Sequence, residues 1–222
     1  MDNRRRFRLS ASAAAVILSW FSLVTILAEA LTPAPLDLAQ NVAQPTAAIS
    51  ADQPADWPAA AAPLRGDLLA DVAVARASPV FDLGKAKPTP EMLARRESAL
   101  ALARQSLAFA PHESRAWLLI AMLQAGGPSS AEALEALKMS YLTAPADPNL
   151  IPARLAVLAT SATADDGELA SLARGDIRLI LTRRPDLKSA IVRAYEKGST
   201  KGKAFISDIA RAQDPGFAAT LR

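Results

Sequence analysis

The sequence predicts an all-α protein, and three observations support this fold class. Apolar residues make up 51% of the 222 residues, while aromatic residues make up only 5%. Most of the apolar residues are Ala and Leu, which are strong helix formers, whereas strands are enriched in β-branched and aromatic residues. Apolar side chains also recur at helical spacing between interruptions by Pro and Gly. We therefore expect a domain of packed helices, preceded by one transmembrane helix and a Pro/Ala-rich linker.

A charge-free stretch follows a basic N-terminus. Residues 1–8 carry four arginines against Asp2, and the twenty residues from Leu9 to Ala28 carry no charge. A helix of this length spans about 30 Å, the thickness of the hydrocarbon core of a bilayer. The positive-inside rule then keeps residues 1–8 in the cytoplasm and exports the chain that follows the anchor at 9–30. Ala28-Glu29-Ala30 also fits a cleavage pattern, so a cleaved signal peptide is the alternative.

Residues 31–63 are predicted to form a linker. Between Pro33 and Pro63 the chain holds six prolines and eleven alanines in 31 residues. The prolines interrupt every stretch that is long enough to nucleate a stable helix. Trp57 is the only aromatic residue in this segment, which is too little apolar mass for a core.

The helical domain is expected to span residues 64–222. Leu64, Leu68 and Val72 fall on one helical stripe over residues 64–77, and Ser78-Pro79 is expected to end this helix. Thr89-Pro90-Glu91 has the pattern of a helix start, with an N-cap, a proline at the first helical position and an acidic first turn. The apolar face of that helix begins at Leu93. Three further helices are expected: one that contains Trp117, one that begins at the capping box Ser129-x-x-Glu132, and one that follows Asp147-Pro148.

Part of the helical domain repeats with a period of 34 residues. Ala99 and Ala133, Ser106 and Ser140, and Pro111 and Pro145 are each separated by this distance. The pattern resembles the tetratricopeptide repeat (TPR) family over about residues 89–198, with one nearly complete unit that begins at Ser114. The resemblance implies antiparallel helix pairs stacked as a short solenoid with a concave face. The matching positions of this unit are Trp117, Ile120, Ala121, Ala133, Leu137, Ser140 and Pro145.

The same resemblance implies which residues would bind a partner. Positions 2, 5 and 9 of the first helix of a unit usually face the groove in this family. They fall on Arg115, Leu118 and Met122 in one unit, and on Asn149, Pro152 and Ala156 in the next. Arg115 and Asn149 are expected to donate hydrogen bonds to a partner, while Leu118 and Met122 supply apolar contact.

The composition argues against catalysis and against metal or nucleic-acid binding. The sequence has no cysteine and one histidine, His112, which excludes thiol catalysis and a multi-histidine metal site within one chain. The formal charge of +3 equals the excess of residues 1–8 alone, so the rest of the chain sums to zero. Asp165, Asp166 and Glu168 are interpreted as acids at a helix start. We therefore expect no enzyme activity, no cofactor, no metal and no nucleic-acid partner.

Two functions remain open at this point. The first is a bacterial inner-membrane protein whose periplasmic helical domain acts as a scaffold or adaptor for a protein or peptide in a cell-envelope assembly; after cleavage it would be periplasmic or secreted. The alternative is an accessory factor for surface polysaccharide biosynthesis or export. Residues 174–203 hold nine basic side chains against three acidic ones, which would favour contact with an anionic polymer.

Overall fold

The computed structural model describes residues 3–31, 64–81, 89–125, 130–160 and 166–221. All regular secondary structure in these ranges is helical, and it comprises ten α-helices and one short 3-10 helix at Pro185–Leu187. The α-helices are α1 (Asn3–Leu31), α2 (Gly66–Phe81), α3 (Pro90–Phe109), α4 (Ser114–Gln124), α5 (Ser130–Thr143), α6 (Ile151–Thr160), α7 (Gly167–Arg183), α8 (Lys188–Lys197), α9 (Thr200–Gln213) and α10 (Pro215–Ala218). The all-α prediction is therefore confirmed.

Helix α1 contains the stretch that was predicted to anchor the chain in a membrane. Within the described ranges, no helix combines the length and the apolar character that a membrane span requires. The structure thus gives no support to the transmembrane helix expected at 9–30. The predicted linker lies outside the described residues, apart from Leu31 at the end of α1.

The helices of the domain pack in pairs. The most extensive contacts join α2 to α3 and α4 to α5, which are neighbours along the chain. Contacts also join α2 to α4, α4 to α6 and α6 to α8, so that each of these helices touches the next helix but one. Helix α9 lies against both α7 and α8 and carries α10 at its C-terminal end.

The apolar interior extends through the domain by way of helix α6. One cluster of buried side chains is built mainly by α2 to α5 and includes Leu100, Leu119 and Leu137. A second cluster is built by α6 to α9 and is centred on Ile177 and Ile191. Helix α6 contributes Ala153, Val157 and Leu158 to the first cluster and Ile151, Leu155 and Ala159 to the second, which fits its nearly complete burial.

Several helix boundaries follow the sequence signals and others differ. Thr89 caps α3, because its hydroxyl accepts a hydrogen bond of 3.3 Å from the Met92 N–H, and α3 ends before Pro111 as expected. Helix α2, however, continues past Pro79 to Phe81. Proline in the last turn removes only one hydrogen bond, and packing against α3 offsets that loss. Leu93 was predicted to face the core but is 47% exposed.

The helix after Pro148 begins later than predicted. The Asp147 carbonyl accepts hydrogen bonds from the N–H groups of Leu150 and Ile151, and its carboxylate accepts one from the Asn149 N–H. These bonds form a turn over residues 147–150, and α6 starts only at Ile151. Asp147 therefore closes a turn before the helix and does not act as its direct N-cap.

The ends of α3 and α5 are alike at positions 34 residues apart. The Ala110 N–H donates to the Ser106 carbonyl at 2.8 Å, and the Ala144 N–H donates to the Ser140 carbonyl at 3.3 Å. Both serines are completely buried. Their hydroxyls contact the neighbouring element, since Ser106 Oγ donates to the Gly66 carbonyl at 2.6 Å and Ser140 Oγ accepts from Arg154 Nε at 3.0 Å.

Candidate partner-binding clefts

Arg115, predicted to bind a partner, is engaged inside the domain. Its guanidinium forms ion pairs with Asp71 on α2 and with Glu113, which precedes α4. All three side chains are largely screened from solvent, at 29%, 15% and 15% exposure. Burial raises the pKa of Asp71, and the charge of Arg115 opposes this rise. Arg115 therefore connects α4 to α2, which leaves little of its hydrogen-bonding capacity for a ligand.

The other three predicted residues do not form one exposed site. Leu118 is completely buried in the first core cluster, because this face of α4 packs against the neighbouring helices. This placement corrects the assignment of Leu118 to a partner surface. Met122 is half-buried against the same cluster, whereas Asn149 is exposed in the turn before α6.

A small cleft lies between α6 and α8, and we refer to it as the α6–α8 cleft. Pro152 and Ala156, two of the residues predicted to face the groove, line its α6 side together with Thr160. Ala190 and Ala194 form its α8 side. The cavity volume is about 40 Å³, so the floor can receive one small apolar group.

Two cationic side chains, Arg193 and Lys197, border the α6–α8 cleft. They are four residues apart on α8 and therefore project from the same side of that helix. Among the described residues, neither side chain takes part in an ion pair or a side-chain hydrogen bond. In the sequence, both residues belong to the basic stretch at 174–203, and their four-residue spacing was the available signal that they lie on one side of a helix.

A second cleft, the α7–α9 cleft, lies between α7 and α9 and has a cavity volume of about 240 Å³. Arg174 and Arg178 line its α7 side, and both are exposed. Phe205 and Ile209 provide apolar surface from α9, with the Arg174 guanidinium 5.9 Å from the centre of the Phe205 ring. This distance is within the range of a cation–π contact.

Three buried polar side chains meet where α5, α6 and α7 pack. The guanidinium of Arg154 lies 4.5 Å from the centre of the Tyr141 ring, and its Nη2 donates to the carbonyls of Ser140 and Ala144. Asp176 is 4% exposed, and its burial raises its pKa to about 6 against the opposing effects of Arg154 and Tyr141. Arg154 thus satisfies the carbonyls at the C-terminal end of α5, which is a structural role.

The acids expected at a helix start do cap a helix. Asp166 is the N-cap of α7, because its carboxylate accepts a hydrogen bond of 2.9 Å from the Leu169 N–H. Lys138 of α5 forms ion pairs with Asp166 at 2.9 Å and with Glu168 at 3.2 Å. Asp165 lies outside the described residues. These carboxylates therefore fix the start of α7 against α5.

The described residues hold no arrangement that is typical of metal binding. No three side chains of His, Asp or Glu come together there as potential ligands. His112 is exposed in the turn between α3 and α4. In comparisons with known proteins, no family model, no curated protein and no solved structure matches this chain.

Proposed function

We propose that residues 64–221 form a TPR-like solenoid that binds a segment of a protein partner and acts as a non-catalytic scaffold or adaptor. Two structural relationships support the solenoid. The helices α2, α4, α6 and α8 contact one another in succession, as the first helices of stacked pairs do. The ends of α3 and α5 also repeat at 34 residues through Ser106 and Ser140.

The α6–α8 cleft is the observation that supports partner binding most directly. Two residues that the repeat pattern assigns to the groove, Pro152 and Ala156, line it. The cleft lies between α6 and α8, which would be the first helices of successive pairs. The first helices of stacked pairs would form the concave surface of the solenoid. We propose this cleft as the docking site in place of the residues predicted on α4.

The chemistry of the α6–α8 cleft defines the partner segment. Its floor is built from Pro152, Ala156 and two alanines of α8, which suits a small apolar side chain. Arg193 and Lys197 have no acidic partner among the described residues, so a carboxylate of the ligand could form ion pairs with them. We therefore propose a peptide segment in which an acidic group lies next to a small apolar residue.

The composition of the N-terminus supports a role outside the cytoplasm. Four arginines precede the charge-free residues 9–28, and this order is shared by export signals and by membrane anchors. We propose that the helical domain is exported and works in the cell envelope. Fractionation of source cells, with determination of the N-terminal residue of the recovered protein, distinguishes a retained anchor from a cleaved signal. Recovery of the intact chain in the cytosol would contradict export.

A photo-crosslinking experiment tests the docking site. A photoreactive amino acid replaces Thr160, which lines the cleft, or Thr182, which serves as a matched control on α7. Both threonines are exposed, and both hydroxyls donate to the carbonyl four residues earlier, at 2.9 and 2.8 Å. We expect a discrete protein adduct in cells from position 160 and none of the same mass from position 182.

Reversing the two positive charges of the α6–α8 cleft in the same cells tests whether the adduct depends on them. Arg193→Glu with Lys197→Glu should abolish the adduct at position 160, because both changes oppose an acidic ligand. Arg183→Glu is the control, since Arg183 is an exposed arginine of α7 that lines neither cleft. An adduct that survives the double reversal, or that forms equally at position 182, would contradict the proposed docking site.

A further inference from the structure

The α7–α9 cleft presents two guanidinium groups that form no ion pair within the described part of the chain. Arg174 and Arg178 are four residues apart on α7 and line the same cavity. Among the described residues, Arg174 and Arg178 form no ion pair and no side-chain hydrogen bond, and the Arg174 guanidinium lies over the ring of Phe205. Such an arrangement favours an anion that accepts hydrogen bonds from both side chains.

The remaining lining residues favour a ligand that is more than a simple anion. Asp208 and the amide of Gln213 also line the cavity. The Asp208 carboxylate is 72% exposed, and only its Oδ1 contacts Arg211, at 3.2 Å. A carboxylate accepts hydrogen bonds and repels anions, so it suits a ligand that brings hydroxyl donors as well as negative charge.

The apolar part of the cleft adds a third requirement. Phe205 and Ile209 leave apolar surface next to the polar groups, and the volume of about 240 Å³ is much larger than an isolated carboxylate or phosphate needs. A pyranose ring with a carboxylate meets all three requirements. Its C–H face covers the apolar surface, its hydroxyls donate to Asp208, and its carboxylate accepts from the arginines.

We propose that the α7–α9 cleft binds a uronate unit of a carboxylated polysaccharide. An acidic peptide matches the site less well, because it offers its carboxylates to the arginines but supplies no hydroxyl donors for Asp208 and Gln213. The proposal goes beyond the protein-binding role assigned to the α6–α8 cleft, since the two clefts share no lining residue. Either proposal can therefore be contradicted by experiment without affecting the other.

Binding of polygalacturonate to the purified full chain tests the proposal. We expect saturable binding that weakens as salt increases, and at least tenfold weaker binding of the fully methyl-esterified polymer, which lacks the negative charges. Arg174→Gln with Arg178→Gln should weaken binding of the acidic polymer at least tenfold. Arg193→Gln with Lys197→Gln is the matched control, because it removes the same charge from the α6–α8 cleft. Equal weakening by both double variants would overturn the site in favour of diffuse attraction.

Whether Asp208→Asn strengthens or weakens binding distinguishes a sugar ligand from a simple anion. Asp208→Asn removes a negative charge, so it strengthens the binding of any ligand held by charge alone. If Asp208 accepts hydrogen bonds from hydroxyls, the same change weakens polygalacturonate binding by about threefold or more. A poly-glutamate peptide is the second probe. Stronger binding of polygalacturonate by Asp208→Asn, or tighter binding of poly-glutamate than of polygalacturonate at this cleft, would overturn the ligand class.

Discussion

Gly202 of α9 lies directly against the backbone of Ala159 in α6. A β-carbon at position 202 would overlap the Ala159 carbonyl oxygen and would lie 2.7 Å from its Cα. The same carbonyl accepts hydrogen bonds from the N–H and the hydroxyl of Ser199, at 2.8 and 3.1 Å. The N-terminus of α9 is thereby fixed to the C-terminus of α6, and only glycine permits this distance.

Substitution of Gly202 by alanine should destabilise the domain. The added methyl group meets backbone atoms, which cannot move aside as a flexible side chain can, so we expect a loss of about 1–3 kcal/mol in the free energy of unfolding. Gly175→Ala is the control, because, among the described residues, no atom outside the local backbone of α7 lies within 4 Å of a β-carbon at that position. It should stabilise the domain by up to about 1 kcal/mol. Urea denaturation followed by circular dichroism measures both, and equal effects would contradict the close contact.

The stability of the domain should rise as the pH falls from 7 towards 5. The pKa of Asp176 is about 6 in the folded protein, above the ordinary value for an aspartic acid, so the folded state binds this proton more tightly than the unfolded state does. The stability that this proton contributes, on the order of 1–3 kcal/mol in total, is lost as the pH rises from about 4 to about 6. The charged and polar groups around Asp176 are Arg154 and Tyr141.

Asp176→Asn should remove this pH dependence and stabilise the domain at pH 8, because the amide carries no buried charge. Denaturation midpoints between pH 5 and 8 provide the measurement. Asp208→Asn is the control, because it removes a carboxylate that is 72% exposed, and the pH dependence assigned to Asp176 should remain in this variant. If the denaturation midpoint of Asp176→Asn changes with pH as that of the unmodified protein does, the role of Asp176 is contradicted.

Arg115 should matter for stability more than an exposed arginine in a similar pair. Arg115→Met leaves the Asp71 carboxylate, which is only 15% exposed, without its counter-charge, and we expect a loss of about 1–3 kcal/mol. Arg104→Met is the control, because the pair of Arg104 with Glu132 is 50% and 41% exposed and should contribute less than about 1 kcal/mol. Thermal unfolding of both variants tests the difference. A smaller effect at Arg115 than at Arg104 would show that its ion pairs do not hold α2 to α4.

Ala146 should be a site where glycine improves stability. Its φ of 59° lies in the left-handed region, which costs a residue with a β-carbon about 1–2 kcal/mol. Ala146→Gly relieves that strain but gives the unfolded chain more freedom, so we expect a net gain of about 0.5–1 kcal/mol. Ala131→Gly, at an exposed helical position in α5, is expected to destabilise by a similar amount. Calorimetry resolves the opposite signs, and a loss of stability at position 146 would contradict the assigned conformation.

Local signals in the sequence predicted helices well, because caps and prolines act within a few residues. Helix α3 begins after Thr89 and ends before Pro111 as expected, and the serines at 34-residue spacing are buried at equivalent helix ends. Pro79 did not end its helix, since the packing of α2 on α3 outweighs the loss of one hydrogen bond.

The candidate site was predicted only in part. Pro152 and Ala156 line a cleft, but Leu118 is buried by neighbouring helices, and Arg115 is bound to an acid 44 residues away. Such partners depend on tertiary packing, which the spacing of residues along one helix does not contain. The position of Arg174 and Arg178 at one cleft with Phe205 and Asp208 likewise depends on how α7 packs against α9.

The bonds from Arg154 to Ser140 and Ala144 have a consequence for how the domain unfolds. A residue of α6 contacts the end of α5, so the Ala144 carbonyl loses this donor whenever α6 is displaced, and the Ser140 carbonyl keeps only donors from α5 itself and its C-terminal end. The two helices belong to different pairs in the proposed solenoid. We therefore expect the helices on either side of this junction to unfold together, and not pair by pair.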